Sequence, residues 1–438
     1  MNQEVKISQG GNKMKKIIVS ILITLSLVLP LAGCDGTASA GLIESDKERI
    51  SSPAISSIDE DILVDGNTAF AYDLFQALKS EDGNVFYSPY SISIALAMTY
   101  AGARGETATQ MADTLHFDLS QENLHPAFNY LDIELHKRGE GAKGKDDEGF
   151  RLNIVNAIWG QKDFTFLPKF LDILAENYGA GLRVVDFVGE TEKARITIND
   201  WVSKETEERI PDLIPEGQLD SDTRLVLTNA IYFNAAWQYR FEESLTSDSP
   251  FYLLTGEDVT VRMMKQTESF GYTAGDGYQA VESLYDGGEL SMIILLPDSG
   301  QYELFEEQLT AEKANEIIRN LERNQVSLSM PKFEFESEFM MRETLSAMGM
   351  PVAFGSGADF SGMTGEPLLY IDQVIHKAFV SVDESGTEAA AATAVDMKLT
   401  SAPVDPVKVT IDHPFIFLIR DIETGTILFV GRVLNPTE

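Results

Sequence analysis

Apolar residues recur without a long break from about Ile62 to the C-terminus, and their spacing changes along the way. In Thr68–Leu78, Phe70, Leu74, Phe75 and Leu78 share one face at helical spacing. Ser91–Tyr100 is apolar almost throughout and follows Ser88-Pro89, a pair that starts helices by capping and by a pre-set first turn. Gly105–Leu115 and Leu167–Tyr178 also read as helices. Farther on the apolar runs are short: Leu152–Trp159, Leu225–Phe233, Ser291–Leu296, Gln325–Met330, Val374–Val382, Pro414–Ile419 and Ile427–Val433 read as strands. Helices crowd the N-terminal third and strands the remainder, so the class is α+β, not alternating βαβ.

Composition narrows this. With 44% hydrophobic and 24% charged residues the chain is not disordered, and one cysteine cannot build a disulfide scaffold. A length of 438 residues suggests about three domains. No internal repeat is present, and the polar stretch Lys137–Gly149 is short enough to be an exposed loop. A formal net charge of −35 argues against nucleic acid or an acidic polysaccharide as partner. It favours solubility, and fits a saline habitat.

The N-terminus has its own pattern. Lys13, Lys15 and Lys16 precede the apolar run Ile17–Leu31. At about 15 residues the run is short of the roughly 20 a spanning helix needs, and it fits a secretory leader. Met14 is an alternative start. The run ends in Leu31-Ala32-Gly33-Cys34, which resembles the lipobox of prokaryotic lipoproteins. There small residues admit a peptidase and the thiol takes the lipid. The expectation is a signal peptide over 1–33, a flexible tether over 34–61 and a folded body over 62–438. The body is then extracytoplasmic, as a cell-surface lipoprotein or secreted, with the lipid on Cys34 as membrane contact. An uncleaved anchor with an idle thiol also fits.

Enzyme signatures are missing. The histidines are His116, His125, His136, His376 and His413, and none stands in HExxH. There is no CxxC, P-loop or GxSxG, so no catalytic residue, metal site or cofactor is expected. Asp59–Gly66 is acidic but lacks the bidentate glutamate of an EF-hand. His376 differs from the others because it lies inside a strand pattern, where a buried imidazole needs partners.

The segment Glu384–Pro414 lies between two strand patterns. Thr387, Ala389, Ala391, Thr393, Val395 and Met397 form one parity set without charge. Glu388, Ala390, Ala392, Ala394, Asp396 and Lys398 form the other, with every charge. Period two with one neutral face suits a half-buried strand, yet alanine is a weak strand former. Such a segment can be a strand without being committed to one. An Ala-rich helix or a surface loop satisfies the pattern equally.

Many short stretches, in order, resemble one family. Phe86–Met111 (FYSPYSISIALAMTYAGARGETATQM), NIVNAIW from Asn153, NDWV from Asn199, LTNAIYFNAAW from Leu227, MPKF from Met330 and DFSGM from Asp359 are serpin-like. So are VIHKAFVSVDESGTEAAAAT from Val374, HPFIF from His413 and LFVGRVLNP from Leu428. The resemblance covers about 62–438 and replaces the three-domain expectation. It implies one large domain of three β-sheets and about nine helices with an exposed reactive-centre loop.

The same resemblance implies an irreversible suicide-substrate inhibitor of serine proteases. The protease attacks a bait bond and forms an acyl-enzyme. The cut loop then inserts as a new strand, dragging the protease about 15 residues, roughly 50 Å. The hinge is Glu384, Ser385, Gly386, Thr387, Glu388, Ala389, Ala390, Ala391 and Ala392; its small neutral residues are those of inhibitory members. Ser88, Ser91, Asn229 and His376 match shutter positions, and Trp237 the breach.

Counting 17 residues from Glu384 places the reactive bond at Thr400-Ser401, which suits an elastase-like or subtilisin-like target. Counting back from His413 gives a bond about three residues later. A bond after Lys398 or Met397 would mean a trypsin-like or chymotrypsin-like target. A monomer is expected. The alternatives are a non-inhibitory serpin acting as a surface binding module, a cross-class cysteine protease inhibitor, or a hydrolytic lipoprotein.

Overall fold

A computed structural model describes residues 40–143, 150–387 and 405–438. The chain opens with β1 (Gly41–Ile43), the long helix α1 (Ser57–Leu78) and β2 (Val85–Tyr87). Helices α2 (Pro89–Tyr100), α3 (Gly105–Leu115) and α4 (Gln121–Lys137) follow. Next come β3 (Arg151–Gln161), α5 (Pro168–Tyr178), β4 (Leu182–Val185) and α6 (Thr191–Glu205). A run of strands comprises β5 (Leu225–Ala236), β6 (Ser247–Tyr252), β7 (Asp258–Gly275), β8 (Tyr278–Leu284) and β9 (Leu290–Pro297). After α7 (Tyr302–Glu307) and α8 (Ala311–Arg319) come β10 (Glu322–Pro331), β11 (Phe333–Met340), α9 (Arg342–Met348) and α10 (Ser361–Thr364). The last strands are β12 (Gln373–Val382), β13 (Gly386–Thr387), β14 (Val407–Thr410), β15 (Phe415–Asp421) and β16 (Ile427–Val433).

The strands form two sheets among the described residues. One has seven strands in the order β1-β4-β3-β5-β13-β12-β11, the other nine, running β14-β10-β7-β8-β9-β15-β16-β2 with β6 on β7. The three sheets expected merge to two because β7, 18 residues long, pairs β6 near its start and β10 and β8 farther on. The described residues form one compact unit.

Local sequence accounts for the helices. Helix α1 starts at Ser57, not at Thr68, because Ser56 accepts from the Asp59 amide and Asp59 reaches back to the Ser56 amide. This capping box satisfies two amides that the first turn leaves open. Helix α2 is buried along its whole length, so it shows no amphipathic period. One core packs α1 and α2 between the two sheets; a smaller one, with Trp159, Ile198, Val202 and Leu213, lies between α6 and the seven-stranded sheet.

The stretch expected to be a free tether is partly structured. Gly41–Ile43 pairs antiparallel with β4, and Arg49 donates to Asn129 at 2.7 Å and to Asp132 at 2.6 Å on α4. Backbone pairing at a sheet edge needs no apolar side chains, so this Ser- and Gly-rich segment gave no periodic signal.

The centre of the seven-stranded sheet is unusual. Strands β5 and β12 pair in parallel over six registers, from Gln373↔Val226 to Ala378↔Ile231, while β3 and β11 pair antiparallel on either side. Above that stretch the two central strands part, and β13 lies between them, antiparallel to both.

Candidate functional site: the hinge, the breach and the row beneath

The Asp383–Gly386 turn sends the chain from β12 back between its neighbours. Gly386 pairs with Ala236, and Thr387 with Ala235 on one side and Val382 on the other. A Cβ at Gly386 would lie 2.1 Å from the Ala235 carbonyl oxygen, so only glycine permits this approach. Thr387 is 1% exposed, and its hydroxyl lies 3.0 Å from the Tyr285 hydroxyl. The first uncharged residue of the parity pattern therefore already occupies the sheet. Residues Glu388, Ala389, Ala390, Ala391, Ala392, Thr400 and Ser401 lie outside the described residues, as does Cys34.

Trp237 braces the turn. Its indole donates to the Asp383 carbonyl at 2.9 Å and its amide to the Ser385 carbonyl at 3.0 Å. The ring stacks on Tyr285 with centroids 4.8 Å apart. The Phe241 amide donates to the Glu384 carbonyl at 2.9 Å. Tyr285 was not foreseen; its signal is only an aromatic residue before a Gly-Gly turn.

Glu384 is held by two side chains that the sequence did not single out. Lys332 reaches it at 2.7 Å, and the Thr246 hydroxyl donates at 2.7 Å. Burial pushes the Glu384 carboxyl up, but the Lys332 and Thr246 bonds outweigh it and hold the group below its ordinary value of 4.5. The charged form thus favours the native hinge. That contribution is present above pH 4.5 and fades as pH falls through the lower native value. Glu384→Ala should cost about 1–3 kcal/mol of native stability, because Lys332 and Thr246 lose their acceptor. Urea unfolding and the Trp237 emission, which senses the turn, would register it; an unaltered midpoint would count against the role.

Six residues farther down β5 and β12 lies a polar row. Asn156, Asn229 and His376 stand directly opposite one another on β3, β5 and β12. Asn229 donates to Asn156 Oδ1 and to the Ser91 hydroxyl, and its own Oδ1 bonds His376 Nδ1. The Ser88 amide donates to His376 Nε2 at 3.2 Å, and the Ser88 hydroxyl caps α2 by accepting from the Ser91 amide at 3.1 Å. The row ties α2 to the sheet where β5 and β12 meet. Sequence reasoning named Ser88, Ser91, Asn229 and His376 but missed Asn156, although it lies within the quoted NIVNAIW stretch.

The bonding fixes the imidazole as neutral, with the proton on Nδ1 and the lone pair of Nε2 facing the Ser88 amide. Burial depresses its pKa to about 3, against an ordinary 6.5. The unfolded chain takes up this proton below pH 6.5 and the native one does not. Stability from this residue is therefore complete above pH 6.5 and falls by about 1 kcal/mol per pH unit toward pH 3. His125, depressed to about 4 by burial, adds a parallel loss. In His376→Gln the dependence of the urea midpoint on pH should be shallower than in the parent; equal slopes would sink this reading.

Comparison with known proteins fits this geometry. The family model for serpins (serine protease inhibitors) matches residues 65–436. Leukocyte elastase inhibitor A of Rattus norvegicus is 42% identical over 386 residues, covering 85% of this chain and 99% of its own. The leukocyte elastase inhibitor of Homo sapiens is likewise 42% identical over 386 residues, with the same coverage. Among solved structures, the thermophilic serpin tengpin in its native state aligns with a TM-score of 0.77 at 30% identity, covering 90% of this chain and 99% of its own. Human thyroxine-binding globulin aligns with a TM-score of 0.78 at 30% identity, covering 87% of this chain and all of its own.

Proposed function

The chain belongs to the family of serpins (serine protease inhibitors), and from that premise we propose that it is not an enzyme and that it traps serine proteases as a suicide substrate. One observation carries the reading: β13, two residues long, lies antiparallel between two strands that are parallel to each other. Parallel pairing is the weaker kind. Continued insertion would replace one parallel interface with two antiparallel ones.

The register sets how far the strand runs. Thr387 faces Ala235, and each further residue moves one step down β5, so Met397 would reach Leu225 at its lower end. A cut after Thr400 then leaves three residues to link the strand to a bound protease. Thr387, Ala389, Ala391, Thr393, Val395 and Met397 would share the buried face that Thr387 already occupies. The chemistry is the protease's own. Its serine attacks the bait carbonyl, the amine of Ser401 leaves, and insertion carries the ester away before water releases it. The small side chain of Thr400 favours an elastase-like or subtilisin-like enzyme. We further propose that Cys34 is lipidated, that the body is a monomer outside the cytoplasm, and that no cofactor takes part.

Incubation with elastase, subtilisin, trypsin and chymotrypsin checks this. A complex that survives denaturing gels, with a new N-terminus at Ser401, is expected for one of the first two. Cleavage after Lys398 would discard the Thr400 assignment. Cleavage by every enzyme without a stable complex would favour the non-inhibitory binding reading; one fold neighbour, thyroxine-binding globulin, is by its name a ligand-binding protein.

A further inference from the structure

We propose that β1 sets the direction in which the trap works. It clamps the lipid-bearing leader to the end of the sheet opposite the breach. The reactive loop is then displayed away from the membrane, and a captured protease is carried toward it. This rests on the trapping and lipid-anchor readings above and adds an orientation to them.

The register locates β1. Leu42 faces Arg183 on β4, Arg183 faces Trp159 on β3, and Trp159 faces Val226 on β5. Strand β1 is therefore level with the second residue of β5. The breach lies at Ala235–Trp237, some ten residues up the same strand, or roughly 30 Å. Cys34 precedes Gly41 by seven residues, a reach of about 25 Å at full extension. Such a leash can hold the lower end of the sheet near the bilayer but does not span to the breach. A free tether out to residue 61 would reach roughly 90 Å and leave every face of the body able to touch lipid.

Three further features make the clamp a built one. A Cβ at Gly41 would lie 2.7 Å from Val184 Cγ2, so glycine lets the strand approach its partner. The Ser45 hydroxyl donates to Asp172 on α5. Arg49 enters the cleft between α4 and α5, where it bonds Asn129 and Asp132, while Asn129 donates to the Ile50 carbonyl at 2.8 Å and the Ile50 amide to the Glu176 carbonyl at 2.9 Å. A pull from the anchor is thus borne at the sheet edge and again ten residues on. The inserted strand would lie four strand spacings from β1, roughly 19 Å across the sheet.

The test uses the full chain carrying its lipid on Cys34, in phosphatidylcholine vesicles that contain an energy-acceptor lipid. The donor dye is on the protease. A protease whose nucleophilic serine is replaced by alanine docks on the loop without cutting it, and the active enzyme goes on to the covalent complex. Energy transfer should be weak in the docked state and rise several-fold in the complex. Gly41→Glu combined with Arg49→Ala frees the leader. It should form the same covalent complex on gels but lose most of that contrast. A stable complex with no rise in transfer, or a contrast unaffected by the double variant, would overturn the orientation. Absence of any gel-stable complex would instead reject trapping, and an unmodified Cys34 mass in membrane-derived protein would reject the anchor.

Discussion

Cleavage between Met397 and Pro406 is expected to raise the unfolding temperature by roughly 10 °C or more. Thr387 already pairs at the top of the slot, and ten positions remain between Ala235 and Leu225 on β5. Filling them would create on the order of 20 ladder bonds, two per residue, at the loss of those within six parallel registers. At about 1 kcal/mol net per bond the gain is on the order of 10 kcal/mol, before side-chain burial is added. Unfolding entropy near 2 cal/mol/K per residue over a body of this length converts that gain to a shift of about 10–15 °C. The nick does no more than remove a covalent restraint, since before it the segment must both enter the sheet and return to β14. Differential scanning of the parent and nicked proteins reads the shift directly. Unchanged melting would mean that the space between β5 and β12 is not a reserved strand site, and the trapping account would fall with it.

Much of this architecture was legible in the chain. The strands from Leu152, Leu225, Val374 and Ile427 were visible because each is a short apolar run between polar breaks, and each begins within a residue of its expected start. Helix α4 was not, because Pro126 and several polar residues interrupt its apolar face. Strand β7 was missed for another reason: it is half exposed and pairs three different strands, so no single face is apolar from end to end. The site divides in the same way. Glycine at 386 and histidine at 376 announce themselves, one by its missing side chain and the other by a polar ring in an apolar run. Lys332, Thr246 and Tyr285 act only through partners 52, 138 and 102 residues away, and no local pattern encodes such distances. The edge strand β1 belongs with them, since its bonds are made by backbone.

Thr387→Arg should turn the inhibitor into a substrate. The native side chain is buried and packed where β13 meets Ala235, Val382 and the Tyr285 hydroxyl. A guanidinium there would face Ala235, Val382 and the Tyr285 hydroxyl, and moving it out of water costs several kcal/mol. The arginine would hold the hinge outside the sheet, so insertion must surmount an added barrier. The acyl-enzyme meanwhile hydrolyses at its own rate, and each 1.4 kcal/mol added to insertion shifts the contest about tenfold toward release. A penalty of two or three kcal/mol is then expected to shift the contest toward release by roughly 30- to 150-fold and to cut the yield of stable complex accordingly, while cleavage at the same bond continues. Thr387→Val, neutral and close in volume, should keep most of the yield, which separates charge from shape. The number of inhibitor molecules consumed per protease inactivated measures both variants. A second readout distinguishes slow insertion from impossible insertion: nicked Thr387→Arg, given hours, should still melt above its uncut form, because Thr387 is only the first of the entering side chains and the other ten positions remain to be filled. If Thr387→Arg trapped protease with the parent's stoichiometry, entry at β13 could not be the step that races hydrolysis.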